Sequence, residues 1–456
     1  MNRMNPRAQG LGFSPTESQT RHMIQECLQL LDHYDWLINS MVLDYFIESL
    51  WSKLASSWQC TLSRISPSTL GSWLSNGNRE APLEQECDSL LPLSLIALKA
   101  VISKLSLNRL PSQNLNLNDD VIPVLSHQEL DPLFRRKVNP KKEHELRVFA
   151  PLIHSMAEMT STSAVFDFGS GIGHLCRRLS FIHGLHSFGL ETQEVLTVKA
   201  KEMDELFVKK MKSRSPSSHI LPVHSVQNIS EETLQSHTQD SLFKNQEHHG
   251  VGLVGLHACG DLSSRIIRLY KASSSSKFLC LATCCYMKGN LNLMSSDFSH
   301  RSLSYEAREL GCHALETYIK KLKSDDYESL LRVHCYRALL ERILIRKGSQ
   351  YKHISLKSVP QTHRLSFEEY ALAATANLKE LNISATEMKE AEMDLEKEWW
   401  KVSVFYILRL SMAPIIETLV FLDRYLFLKE ACDRTSILPL FDPVLSPRNL
   451  VLLSIK

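Results

Sequence analysis

The sequence predicts an α/β fold, a Rossmann-like doubly wound sheet bordered by helical segments, on three observations. Short apolar runs between residues 164 and 286 alternate with stretches of helical periodicity. The first of these runs opens into a glycine turn, VFDFGSGIGHL at 165–175. The segments up to 135 and from 291 to 430 show helical periodicity without that alternation. Near-continuous apolar strands separated by helices mean a parallel sheet buried on both faces, joined by right-handed crossovers.

The elements follow in chain order. MIQECLQLLDHYDWLINSMVLDYFIESLW, within 19–60, repeats apolar residues every three or four positions and predicts helix, as does PLSLIALKAVISKLSL at 92–107. SNGNREAPLEQE between them and LNRLPSQNLNLNDD after them are polar breaks. NPKKEHELRVFAPLIHSMAEM at 139–159 predicts an amphipathic helix, capped by Asn139 with Pro140 at its first position. Strands are expected at 164–168, 186–191, 219–226, 251–258 and 277–286. Residues 302–346 and 366–430 read as helical, KHISLKSV at 352–359 as a candidate core strand, and NLVLLSIK as a terminal strand after the turn SPR. Four segments result: a helical region at 1–135, the sheet core at 136–290, a helical insertion at 291–430, and 431–456 completing the sheet.

The bulk composition sets limits. The 456 residues are 43% hydrophobic and 22% charged with a net charge of +2, an ordinary globular balance. There is no global electrostatic pull toward DNA or an anionic membrane. Eleven cysteines, two of them adjacent at Cys284 and Cys285, suit reduced thiols in an intracellular setting rather than a disulfide framework. The N-terminus MNRMNPRAQGLGFSP lacks the apolar stretch of a signal peptide. VSVFYILRLSMAPIIETLVF at 402–421 is long enough to span a bilayer. Arg409 and Glu417 within it would each cost a few kcal/mol there, so a buried helix pair is expected, with no membrane attachment.

The glycine turn carries the functional reading. Strand, Gly-x-Gly-x-Gly, helix lets the backbone approach a ligand closely, because glycine has no Cβ and accepts positive φ. A dinucleotide fingerprint needs its third glycine one position later than Gly173. No Gly-Lys-Ser/Thr follows, which excludes a Walker loop. Asp167, Gly169, Gly171 and Gly173 suit S-adenosylmethionine (SAM), whose ammonium and carboxylate the turn and its acid can address. Glu191 ends the second strand, where an acid hydrogen-bonds ribose hydroxyls.

In such sheets ligands bind beyond the carboxyl ends of the strands. The fourth strand ends in LHACGDLSS and the fifth in LATCCYMK, so His257, Cys259, Asp261, Cys284, Cys285 and Tyr286 are expected to converge. Three readings stand side by side. These residues line a methyl-acceptor pocket, with His257 or Tyr286 positioning or deprotonating the acceptor. Thiols with His257 ligate zinc, a reading that no C-x-x-C spacing supports, and no metal site is assigned. Or the cysteines are small apolar strand residues.

DFGSGIGHL, GLHACGDLS, CCYMK, HCYRA and SPRNLVL together resemble the methyltransferase-like 25 family over nearly the whole chain. The resemblance implies a class I SAM-dependent methyltransferase fold with an N-terminal helical cap and a helical insertion before the last strands. It matches Asp167, Gly169, Gly171 and Gly173 to the cofactor turn and Glu191 to the ribose acid. KKEHE, Lys141 to Glu145, matches the family's Lys-Lys-x-His-Glu helix, which puts Lys142 beside the cofactor. An adenine dimethylase would carry Asn-Leu-Pro-Tyr where this chain has His257-Ala258-Cys259-Gly260-Asp261. A His-Leu-Cys-Gly segment and a double cysteine at similar places in a transfer-RNA ribose methyltransferase family point to RNA as a candidate acceptor, with protein as the alternative. The third strand lacks the acid that would bind the adenine amine, and Ser225 or Gln227 are its candidate substitutes. The runner-up reading is a catalytically inactive scaffold of the same fold that binds a partner.

Overall fold

A computed structural model describes residues 12–75, 91–111, 134–135, 137–212, 220–228, 250–289, 292–378 and 381–456. The chain divides into two compact units. One comprises 1–26, 108–303 and 419–456, the other 27–107 and 304–418.

The first unit is built on a seven-stranded sheet. Its strands are β1 (Ala164–Phe168), β2 (His186–Glu191), β3 (Val223–Val226), β4 (Val251–Ala258), β5 (Ser276–Thr283), β6 (Arg434–Pro439) and β7 (Leu450–Ile455). They are ordered β3-β2-β1-β4-β5-β7-β6. β1 to β5 pair in parallel, while β7 runs antiparallel to both β5 and β6. The order reverses between β1 and β4, so the crevice that opens there lies above the carboxyl ends of both strands.

Four helices pack on this sheet: α1 (Pro140–Met159), α2 (His174–Phe181), α3 (Glu194–Lys212) and α4 (Asp261–Ala272). Asn139 caps α1, its side chain accepting from the Lys142 amide at 2.8 Å, with Pro140 at the first helical position. Leu146, Phe149 and Ile153 of α1 join Val165, Val254, Phe278 and Val451 in one apolar core. All residues of β1 and of β7 are buried, as a central strand requires.

The second unit is helical. Its two longest helices are α5 (Tyr327–Lys347) and α6 (Ala385–Leu410), and its core gathers Tyr45, Leu339, Leu340, Phe367 and Phe405. A ladder of ion pairs joins α5 to α6: Arg332–Glu396, Arg342–Asp394, Arg346–Glu390 and Lys347–Glu387. The falling partner numbers show the two helices to be antiparallel. Ser384 and Glu387 close a capping box at the start of α6.

Several expectations are corrected. Residues 352–359 form no strand. The Lys357 amide donates to the Ala374 carbonyl at 3.0 Å. The helix expected through 19–60 is broken after His33 by short 3₁₀ turns at Val42–Asp44 and Leu50–Lys53. β3 begins only at Val223, Ser218 and His219 lying outside the described residues. β5 stops at Thr283, so Cys284 to Tyr286 lie beyond the strand. β6 was not anticipated. The N-terminal helices and the insertion, treated as separate segments from sequence, contribute together to the second unit. The apolar stretch at 402–421 breaks at Ser411–Met412 between α6 and α7 (Ala413–Lys429), where Pro414 occupies the start of the second helix. Ala385–Lys429 has the length and composition to cross a membrane, yet 89% of its most apolar part is buried inside the protein.

Candidate functional site

β1 delivers the chain into the crevice at Phe168, and the glycine turn begins there. Gly169, Gly171 and Gly173 all have positive φ, at 74°, 58° and 74°. The Gly169 and Ser170 amides donate to the Leu190 carbonyl at 2.8 and 3.2 Å, which seats the turn on the end of β2. The Gly171 amide donates to Glu191 Oε2 at 2.9 Å. Glu191 Oε1 accepts from the amides of Thr192 and Gln193 at 2.9 and 3.1 Å. The carboxylate is thus held on the loop it was expected to accompany.

The three glycines differ in what lies beyond them. A Cβ at Gly171 would meet nothing within 4 Å, so its outward side faces open space. A Cβ at Gly173 would lie 2.5 Å from the His224 ring. Gly173 is therefore small because the His224 ring packs against it at the start of α2. His224, on β3, is a residue that sequence reasoning missed. Its Nε2 pairs with Asp204 Oδ2 at 2.8 Å, and Asp204 Oδ1 accepts from Arg177 Nε at 2.6 Å. Its Nδ1, like the Ser170 hydroxyl, is buried without a hydrogen-bond partner among the described residues.

Asp167 is buried, and desolvation raises its carboxyl pKa to about 6 against the opposing pull of the Cys176 thiol, Lys142 and His224. Lys142 on α1 is half-buried, which lowers its ammonium pKa, and Asp167 and Glu145 are its charged neighbours. The KKEHE helix therefore stands beside the turn.

At the end of β4 the ladder slips between Leu256 and Ala258. His257 sits in this bulge with φ of 70°, a left-handed conformation unusual for a residue with a Cβ. The bulge turns the imidazole toward α1, where His257 Nε2 lies 2.8 Å from Glu145 Oε2. Glu145 is fully buried. Burial alone would raise its pKa, but the hydrogen bonds from His257 and Ser446 and the Lys141 charge outweigh it and hold the carboxyl below its ordinary value. An ionised carboxylate only accepts, so Nε2 carries a proton, and in the neutral imidazole Nδ1 is then the accepting nitrogen. Ser446 Oγ donates to Glu145 Oε1 at 2.6 Å. The SPRN motif and the KKEHE motif are thus two sides of one clasp on His257.

The remaining candidates divide. Cys259, Cys284 and Cys285 meet: the Sγ atoms of Cys259 and Cys284 are 2.9 Å apart and those of Cys284 and Cys285 3.6 Å. Hydrogen bonding from Cys284 brings the Cys259 thiol down to about 6, while sharing the same contact pushes Cys284 up. Asp261 occupies the first turn of α4, where its charge favours the helix dipole, and its carboxylate lies against Gly289. Tyr286 is fully buried, with the guanidinium groups of Arg424 and Arg448 at 5.8 and 5.7 Å from its ring. That burial corrects its expected place in an open acceptor cleft. Ser225 and Gln227 flank the end of β3, the Gln227 amide donating to the Glu191 carbonyl at 2.9 Å.

The arrangement fits SAM. Open space beyond Gly171, an acid at the tip of β2, a cation beside Asp167 and two unpaired buried polar atoms under the turn are what a zwitterionic nucleoside cofactor requires. Glu191 retains lone pairs for ribose hydroxyls, since Oε2 receives one amide.

Comparison with known proteins agrees. Residues 141–290 match the family described as "Methyltransferase domain". "Probable methyltransferase-like protein 25" of Homo sapiens is 23% identical, the match covering 70% of this chain and 75% of the relative. The Mus musculus protein of the same name is 27% identical over 45% of this chain and 37% of the relative. Among solved structures, magnesium protoporphyrin IX methyltransferase of Synechocystis PCC 6803 with bound SAM is 14% identical, covering 35% of this chain and 77% of that one at a TM-score of 0.23. The plantazolicin methyltransferase BpumL with SAH is 12% identical, covering 59% and 84% at a TM-score of 0.21. Likeness at that level adds no weight to the strand order and the domain match. The chain is similar over most of its length to methyltransferase-like protein 25, and its sheet unit carries a methyltransferase domain of the class I, SAM-dependent type.

Proposed function

We propose that the sheet unit binds SAM at the glycine turn and transfers its methyl group to an acceptor presented at the carboxyl ends of β4 and β5. The observation that carries this reading is the Gly171 amide held on Glu191 beside open space. When bound, SAM supplies an electrophilic sulfonium methyl. Glu191 accepts the ribose hydroxyls, the turn amides and Lys142 address the amino-acid end, and Ser170 and His224 line the floor.

His257 is the candidate proton acceptor. With SAM bound, the cofactor would supply the methyl group to the acceptor heteroatom, and His257 Nδ1 would take the proton that the heteroatom gives up. Glu145 acts through His257 and is a positioning residue: it fixes the tautomer and the ring plane, and Ser446 fixes Glu145. Alignment and exclusion of water supply the larger share of catalysis in such a displacement.

RNA is the acceptor class this reading puts first, on the resemblance of HACG and the double cysteine to a transfer-RNA ribose methyltransferase. Mass spectrometry of RNA and protein from cells with and without the gene product tests it. A methyl mark lost from RNA supports it, and a mark lost only from protein moves the acceptor to that class.

Titration calorimetry with SAM tests the cofactor step. Gly171→Arg projects a side chain into the open space and is expected to abolish binding. Absence of binding to folded wild-type protein at millimolar SAM overturns the proposal.

A further inference from the structure

The thiols at the ends of β4 and β5 take no part in the methyl transfer described above, yet the backbone is bent to bring them together. Neighbouring residues of an extended chain point to opposite sides. Cys284 and Cys285 do not, because Cys285 takes a left-handed φ of 23° and turns its sulfur back to within 3.6 Å of that of Cys284. Just past the end of the neighbouring strand β4, Cys259 is followed by Gly260 at φ 56° and ψ −134°, where a Cβ would lie 2.0 Å from the Lys288 carbonyl oxygen. Three ligand atoms from two strand ends lie within 4.8 Å of one another. Strained backbone of this kind persists where the surrounding structure holds it for a purpose.

A second observation concerns charge. Arg424 on α7 is buried, and its Nη1 donates to the neutral Thr283 hydroxyl at 3.0 Å, one residue before Cys284. Asp423, its acidic neighbour in sequence, accepts hydrogen bonds from the Met294 and Ser295 amides at 2.7 and 3.0 Å. Burial lowers the pKa of this guanidinium, and Tyr286, Asp423, Cys284 and Asp261, in that order, are the groups that act against it.

We propose that Cys259, Cys284 and Cys285 bind one thiophilic divalent cation, zinc, through three thiolate sulfurs. Three thiols lose their protons to solvent as three metal–sulfur bonds form. The resulting group carries one net negative charge beside Arg424. Zinc–sulfur bonds of about 2.3 Å in a tetrahedron place sulfurs about 3.7 Å apart. The Cys284–Cys285 separation already has that length, and the Cys259–Cys284 pair must open slightly, which a side-chain rotation achieves. Three protein ligands leave one position for water. A disulfide between Cys259 and Cys284 would use two of the sulfurs and leave the turn at Cys285 without a role.

The test uses the full chain purified under reducing conditions without chelators. Elemental analysis is expected to find about one zinc ion per chain. Exchange for cobalt(II) is expected to give a near-ultraviolet thiolate-to-metal band. Cys259→Ser and Cys285→Ser each remove the metal, whereas Cys312→Ser, in the helical unit, keeps it. The cobalt spectrum of the wild-type chain stands even where a variant fails to fold. A folded, reduced chain that takes up neither zinc nor cobalt overturns the proposal. So does metal loss in Cys312→Ser equal to that in Cys259→Ser, or a Cys259–Cys284 disulfide in metal-free protein that mass spectrometry finds as the native state.

Discussion

The sheet unit and the helical unit each contain a histidine in left-handed backbone conformation, paired with a buried acid. His257 has φ of 70° and lies 2.8 Å from Glu145. His353 has φ of 53°, and its Nε2 lies 2.9 and 3.1 Å from the two oxygens of Asp44. The local chemistry is nearly the same, and the surroundings are not. His353 also donates its amide to Glu341 Oε1 at 2.6 Å, so it ties a 3₁₀ turn to α5 and satisfies two buried acids. His257 sits in a strand bulge beside the thiols, at the carboxyl edge of the sheet. A histidine–carboxylate pair is therefore no signature by itself: place in the topology separates a clasp from a candidate proton acceptor.

The largest expected effects break this comparison in two. His257→Ala is expected to lower kcat by roughly 10²-fold or more while the SAM dissociation constant stays within a small factor of wild type. His353→Ala is expected to leave kcat unchanged. It removes the partner of Asp44 and costs about 1–3 kcal/mol of stability, the penalty of leaving a buried polar group unmatched. Urea denaturation and steady-state kinetics on both variants check the pair. A kcat loss in His353→Ala as large as in His257→Ala would erase the distinction.

A second pair separates the glycine that faces open space from the glycine packed on a ring. Gly171 and Gly173 share a left-handed conformation, so alanine at either costs about 1 kcal/mol in backbone strain. Gly173→Ala adds a collision with His224 and is expected to be the less stable by a further 1–3 kcal/mol. Gly171→Ala is expected to lose SAM affinity with the smaller change in melting temperature. In a His224→Ala background the difference in stability should shrink, because the colliding ring is gone.

These contrasts mark what the sequence can and cannot disclose. Strands β1, β2 and β4 were legible because continuous apolar runs ended at turn residues, and Glu191 because an acid at that distance from a glycine turn has a known use. His224 was illegible: nothing in HSV says that two glycines on other elements are small to admit its ring. The clasp between Glu145 and Ser446 joins residues 301 positions apart, a distance that no periodicity crosses. Convergence of the thiols depended on Cys285 reversing the ordinary alternation, which follows from a backbone angle rather than from residue type. The helical unit was read as two segments because its two contributions flank the sheet residues in the chain.

The two clasps also differ in the sign of their pH dependence. Glu145 is held below its ordinary pKa, so its ionised form contributes stability that is fully present above the unfolded value of about 4.5 and is lost as pH falls through the folded value. Glu341 is pushed up by burial, against hydrogen bonding from His353 and the charges of His353 and Lys352, with Asp44 adding to the rise. Its ionised form therefore opposes folding at neutral pH, and that opposition is relieved as pH falls through the folded value. Glu341→Gln, which keeps an oxygen to accept the His353 amide, is expected to be neutral or mildly stabilising at pH 7. Glu145→Gln is expected to be destabilising there, and to have less stability left to lose on acidification. Hydrogen exchange read on peptides of each unit, between pH 7 and pH 3, measures the two responses separately. Parallel responses would mean that burial alone governs both acids, whereas opposed responses would show that the partners around each carboxyl, Ser446 and Lys141 on one side and Asp44 on the other, decide the sign.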